Sequence, residues 1–205
     1  MGWDAGFLLL IQEYIRSDFL NPIMKVLTHS GDKGILLVTL IVILLIIKKT
    51  RPIGFMAAVS IAIEALLNNV LLKNIIARTR PYDEIDGLIN LVGRQSDYSF
   101  PSGHTGAAFA VAGAMLVVAL FGLPVIVKTG EISRSKMTLT FKLFAVLFII
   151  YSVLLAFSRM YVGVHYPTDV ITGLLLGLAT SAIAYLVYQA VIKKAHGNKA
   201  KIKEA

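Results

Sequence analysis

The chain of 205 residues contains no cysteine. Disulfides, thiolate nucleophiles and sulfur-ligated metal sites are therefore excluded. Its start, Met-Gly-Trp-Asp, has no basic stretch, so a cleaved signal peptide is not expected. Charge is scarce, at 16% of residues against 57% hydrophobic ones. Polar sequence long enough for a second, soluble domain is missing, as are low-complexity tracts and a clear repeat.

What is present is apolar sequence in unbroken runs, with a mean hydropathy of +0.75. Five runs, roughly 34–47, 53–73, 103–127, 140–157 and 168–192, read as five clear membrane-spanning helices. The first is short, so its helix is expected to start earlier or to stop among the lysines after it. Residues 3–20 read as an amphipathic helix lying on the membrane, with a sixth span as the alternative. Asp4, Glu13, Arg16 and Asp18 surround the apolar stretch Leu8–Ile11 there. The expected fold is all-α: a polytopic membrane helical bundle forming one integral domain over 1–205, with a core at 50–192 and a basic tail at 193–205.

The net charge of +8 is placed asymmetrically. Connections 48–52 and 124–142 and the tail after 191 share one side and hold 12 Lys/Arg against Glu131 and Glu204. The other side holds 8 Lys/Arg against nine acids, apart from the mid-span Glu64. Basic residues favour the cytoplasm, so the 12-residue side is expected inside, with its tail against anionic lipid. Nucleic acid is not an expected partner, because the positive residues sit beside spans without interleaved aromatics.

This threading brings four helix junctions to the outer face, and the unusual residues lie at those junctions. Lys73, Arg78 and Arg80 follow the 53–73 run, in KNIIARTRP. Pro101, Ser102, Gly103 and His104 open the 103–127 run. Ser158, Arg159, His165 and Asp169 lie in SRMYVGVHYPTD. Snorkelling anchors would account for single Lys or Arg residues, but not for two histidines, a Ser-Gly pair and an aspartate beside them. Ser102 suits an N-cap, leaving the Gly103 and His104 amides free in a first turn that favours anions. Pro167 suits the first position of the next helix, which sets His165 just before it and Asp169 in its first turn. From there a carboxylate can reach the near ring nitrogen, fix the tautomer and leave the other nitrogen to attack. A plain first-turn acid is the competing reading of Asp169. Cations and free amides match a phosphoryl group, and the second histidine can protonate a leaving oxygen. Zinc on two histidines and an aspartate is the alternative, disfavoured by three adjacent cations.

Three patterns, K-x6-R-P at Lys73, Arg80 and Pro81, P-S-G-H at 101–104 and S-R-x5-H-x3-D at Ser158, Arg159, His165 and Asp169, resemble the signature of the type 2 phosphatidic acid phosphatase superfamily. The resemblance covers about residues 50–192 and extends in size and helix pattern to bacterial membrane lipid phosphatases of the phosphatidylglycerophosphatase B type. It implies that His165 is the nucleophile and forms a phosphohistidine, that Asp169 orients it, and that His104 is the general acid and then the base for water. Lys73, Arg80, Arg159, Ser102 and the Gly103 amide would hold the phosphate oxygens. It implies neither metal nor other cofactor. The implied substrate is a phospholipid or isoprenoid phosphate: phosphatidylglycerophosphate first, undecaprenyl pyrophosphate second, phosphatidic acid or a broad range third. An anionic-lipid transporter is the competing class, but it predicts polar residues deep in several spans. The oligomeric state is not readable.

Outside the signature, Glu64 is a mid-span acid, read as protonated or bonded to a neighbouring helix. The loop 82–100, with Asp83, Glu84, Asp86, Arg94, Asp97 and Tyr98, reads as a solvated surface, with a cover over the pocket that sorts head groups as the alternative; Arg78 and Arg94 read as further contacts to a head group. Met115 and Tyr151 read as packing.

Overall fold

The computed structural model describes residues 2–127 and 131–204, with side chains described through Gly197. Lys128 and the tail lysines Lys199, Lys201 and Lys203, on which part of the charge asymmetry rests, lie outside the described side chains. Helix α1, Trp3–Leu10, continues into a π-helical turn, Ile11–Ile15, and is followed by α2, Leu20–Ser30, and α3, Ile35–Ile46. Helix α4, Arg51–Ala65, passes through a π-helical segment, Leu66–Leu72, into α5, Lys73–Ile76. A short α6, Pro81–Glu84, precedes α7, Gly103–Phe121, then α8, Leu139–Tyr161, and α9, Pro167–Glu204.

Among the described residues, four helical stretches are long and apolar enough to cross a membrane, and α2 with α3, taken as one span, makes a fifth, bent by 47° at Gly31–Gly34. That resolves the short first run. Its helix does begin earlier, at Leu20, but breaks where Gly31, Asp32, Lys33 and Gly34 interrupt the apolar pattern, with Lys33 and Gly34 left-handed. Glycine tolerates that backbone; lysine is held in it by a turn closed from Gly34 N to Gly31 O at 3.1 Å.

Helix α7 is the centre of the bundle, buried along most of its length and packed by α4, α8 and α9. Its small residues let α9 approach backbone to backbone. A Cβ on Gly177 would collide with the Gly106 carbonyl oxygen and lie 2.8 Å from the Ala110 nitrogen. One on Gly113 would collide with Ser181 Oγ. Gly173, Gly177 and Ser181 recur every four residues, the small-residue spacing that membrane helices use where lipid provides no hydrophobic drive to association. The outward faces carry Val38 and Val42 of α3, Leu143 and Leu147 of α8 and Leu175 and Leu186 of α9, all exposed, as a lipid-facing surface requires.

The run 103–127 is not one helix. Gly122, at φ 73°, stops α7 after Phe121, and a hairpin succeeds it: β1, Leu123–Ile126, pairs antiparallel with β2, Ile132–Ser135. The hairpin lies beside residues 47–52, which together line one cavity on the face away from the signature residues. The first helix is no span. With its π turn it covers Trp3–Ile15, too short to cross, and it lies over the site ends of α8 and α9. Leu8 and Ile11 are buried, Asp4 bonds the start of α9, and Arg16 donates to the carbonyls of Tyr161 and Ile89 at 2.8 Å each.

Candidate active site

The signature residues converge where the chain changes direction. Lys73 leaves the π-helical segment and is buried. Such a segment holds more residues per turn than an α-helix, so it rotates the next residues about the helix axis. Ala77, left-handed at φ 48°, then ends α5 and turns Arg78 and Arg80 back over the bundle. Ser102 occupies the N-cap position of α7 with extended backbone, but its side chain makes no cap bond; the first bond inside the helix is from Gly106 N to Ser102 O, 2.9 Å. The amides before Gly106 are the orphans of a helix start. Ser102 Oγ bonds Thr105 Oγ1 at 2.9 Å and Ser102 N donates to the Asp169 carbonyl at 3.0 Å, tying α7 to α9. The Gly103 backbone faces Lys73: a Cβ there would be 3.9 Å from Nζ.

His165 sits between the Gly163 turn and Pro167, 1% exposed. Its Nδ1 is 3.4 Å from Asp169 Oδ2 and its Nε2 3.0 Å from Arg80 Nη1. The first distance is longer than an ordinary N–H···O bond, and that oxygen has other donors: Ser99 Oγ at 2.5 Å and Tyr166 N at 2.9 Å. Asp169 thus also closes the first turn of α9, half of a capping box, so its two sequence readings hold together. Burial, with the charges of Arg80, Arg159, Lys73 and His104, pushes the His165 imidazole well below the usual histidine range.

Arg159, 2% exposed in the last turn of α8, donates to Thr28 Oγ1 at 2.6 Å, and its Nε has no partner among the described residues. Lys73 and Arg80 are both bonded by Asp97, a half-exposed residue of the loop after α6; Arg80 Nη2 to Asp97 Oδ1 is 2.5 Å. Burial pushes the Asp97 carboxyl up, but its bond to Lys73 and the charges of Lys73 and Arg80 outweigh this and hold it at about 2. His104 faces a different carboxylate: Nε2 is 3.0 Å from Asp32 Oδ1, at the break between α2 and α3. A cavity of about 440 Å³ joins Lys73, Asp97, Gly103 and His104 to Gly31, Lys33, Glu64 and Asn69.

The structure therefore brings together Lys73, Arg80, Gly103, His104, Arg159, His165 and Asp169, with Ser102 buried just behind. Arg78 is not open to a head group. It is spent on Thr168 Oγ1 and Asp169 Oδ1, both 2.7 Å, on Asp4 Oδ2 at 2.9 Å and on the Tyr166 ring, 3.7 Å away. Arg94 lies at the surface, paired with Asp83. Glu64 is bonded within its own helix, by Asn68 at 2.7 Å, rather than by a neighbouring helix, and lies against Gly106. Thr28, Asp32, Asp97 and Ser99 join the site without a motif to announce them; only the Gly-Asp-Lys-Gly interruption of an apolar stretch marks Asp32 in the sequence. Among the described residues, no three His, Asp or Glu side chains gather as a metal site would need.

Residues 53–193 match the family described as the PAP2 superfamily. The chain belongs to the PAP2 superfamily. Among PAP2 relatives, it is 35% identical to an undecaprenyl-diphosphatase of Sulfolobus acidocaldarius over 92% of this chain and 79% of that one. It is 32% identical to phosphatidylglycerophosphatase B of Bacillus subtilis over 80% of this chain and 73% of that one. In three dimensions it resembles a transmembrane PAP2 type phosphatidylglycerolphosphate phosphatase from Bacillus subtilis, with TM-score 0.65 and 30% identity over 93% of this chain and 85% of that one. The chain is thus a multi-pass membrane phosphatase of the PAP2 type, and the type 2 phosphatidic acid phosphatase resemblance read from its motifs holds.

Proposed function

We propose that the whole chain is one phosphatase domain that hydrolyses phosphatidylglycerophosphate to phosphatidylglycerol through a phosphohistidine on His165. The observation that carries the reading is the seating of His165: a buried imidazole between Arg80 on one nitrogen and Asp169 near the other, facing Lys73, Arg159 and the free end of α7. His165 Nε2 attacks phosphorus as the phosphorus–oxygen bond to the lipid breaks, and His104 gives its proton to the departing oxygen. Asp169 balances the positive charge of the phosphorylated ring. His104, now neutral, takes a proton from water, whose oxygen attacks phosphorus and breaks the bond to nitrogen, releasing inorganic phosphate. Lys73, Arg80, Arg159 and the amides at Gly103 hold the oxygens on which charge is spread, with Ser102 setting the helix start. No step of this scheme uses a metal. The 12 Lys/Arg on the opposite side favour the site outside and the C-terminus in the cytoplasm.

A monophosphate is favoured because the next nearest arginines, Arg78 and Arg94, are paired within the protein. The second reading, undecaprenyl pyrophosphate, has its own support: the 35% identical diphosphatase relative, and Lys33, an exposed cation on the rim of the 440 Å³ cavity. Phosphate release by purified protein in detergent with excess EDTA, on both lipids side by side, tests the reading with His165→Ala as blank. Release in EDTA that the variant loses supports it, and the ratio of rates ranks the substrates. Release that survives in the variant, or none from either lipid, overturns it.

A further inference from the structure

The broken first span does more than cross the membrane. Its break, Gly31–Gly34, forms one wall of the cavity that holds His104. Asp32, behind that wall, bonds His104 Nε2 at 3.0 Å through Oδ1. Its other oxygen, Oδ2, is 2.8 Å from Nδ1 of His29, one helical turn back on α2 and exposed. The approach is close and backbone-dependent: a Cβ on Gly31 would lie 2.7 Å from His104 Cδ2 and 3.2 Å from Leu155. The same short helix sends Thr28 to Arg159 at 2.6 Å. Thr28, His29, Gly31 and Asp32 all lie outside the segment 53–193 that matches the family.

We infer that Asp32 is the positioning residue for His104, the carboxylate that fixes this ring for proton transfer. This rests on the assignment of His104 as the acid. With Nε2 committed to Asp32, the proton that leaves with the lipid oxygen comes from Nδ1, which no side chain among the described residues bonds. Its conjugate lone pair afterwards accepts the proton of the attacking water at the same atom. A negative oxygen on Nε2 stabilises the imidazolium that acts as acid and leaves Nδ1 free for the reacting oxygens. His29 holds the second carboxylate oxygen and so keeps Asp32 turned inward. His165 and Asp169 on one side, and His104 and Asp32 on the other, then form two histidine–carboxylate pairs: one on the attacking atom and one on the departing atom.

The test exploits the leaving group, because general acid help matters for a poor one and little for a good one. Asp32→Ala and Asp32→Asn are compared with wild type for kcat/KM on a lipid alkyl phosphate and on p-nitrophenyl phosphate, whose aryl oxygen departs without a proton. The expected result is a loss of about 10- to 100-fold on the alkyl ester, with the aryl ester within about threefold, and no further loss when Asp32→Ala is added to His104→Ala. Equal losses on both esters, or losses that add in the double variant, overturn the inference. If wild type hydrolyses neither ester, the functional reading fails instead. The Asp32–His104 pair is then read directly by histidine-selective ¹⁵N NMR: the Nε2 signal of His104 must shift in Asp32→Asn, and an unchanged signal overturns the pairing.

Discussion

Arg80 Nη1 stands 3.0 Å from His165 Nε2. A guanidinium only donates, so Nε2 accepts and the ring proton sits on Nδ1, toward Asp169 Oδ2 at 3.4 Å. The attacking lone pair is thus held in reserve by the residue that binds a phosphate oxygen in the proposed reaction. In the proposed reaction Arg80 exchanges one acceptor for another as substrate arrives, and the lone pair is released where phosphorus lies.

Burial and surrounding cations depress the His165 pKa. A depressed value means the unfolded chain binds the proton more readily, so the stability this group contributes is present above its unfolded value of about 6.5 and is lost as pH falls through the lower folded value. A histidine-selective NMR titration in detergent should find His165 still neutral as pH falls through about 6.5. Titration at the ordinary value contradicts the environment described.

Asp169→Asn removes the charge near Nδ1 while keeping size. The expected loss in kcat is about 10²- to 10⁴-fold, with the protein still folded, because the substituted amide retains one oxygen for the Tyr166 N–H. A near-wild-type rate would show that Arg80 alone orients the ring.

Asp97 occupies Lys73 and Arg80 as a substrate phosphate would, and with its carboxyl held at about 2 it stays charged at every working pH. Asp97→Ala should therefore tighten competitive inhibition by inorganic phosphate or vanadate, by about 5- to 30-fold for one competing contact of about 1–2 kcal/mol. Weaker inhibition would mean that Asp97 instead arranges the two cations for binding.

Lys33 separates the two candidate substrates. On the diphosphate reading, Lys33→Ala lowers kcat/KM for undecaprenyl pyrophosphate by about 10-fold, one lost charged contact, and spares the monophosphate. Equal effects on both lipids remove Lys33 from substrate choice.

Gly177→Ala tests the packing that carries the site. Its Cβ would collide with the Gly106 oxygen and meet the Ala110 nitrogen at 2.8 Å, and helix backbones cannot yield as a side chain can. Overpacking of this kind costs about 1–3 kcal/mol, so the thermal midpoint in detergent should fall by several degrees. Gly197→Ala, on the same helix with nothing within 4 Å, should not lower it.

The spans and the ingredients of the site are written locally along the chain. Apolar runs are local signals, because every backbone group in lipid must be satisfied within its own helix. Lys73, Arg80, His104, Arg159, His165 and Asp169 are legible because they lie at helix ends, where spacing along the chain fixes their depth. Pairing of the polar side chains is a matter of packing. Asp32 and His104 are 72 residues apart, and no periodicity links them; only the packing of the broken first span against α7 and α8 makes them neighbours. The same holds for Asp97 on Lys73, for Arg78 turned inward onto Asp4 and Asp169, and for α1 laid across the site face. A helix is encoded turn by turn, whereas the partner of a polar side chain is chosen by which helices the small residues of α7 and α9 allow to touch.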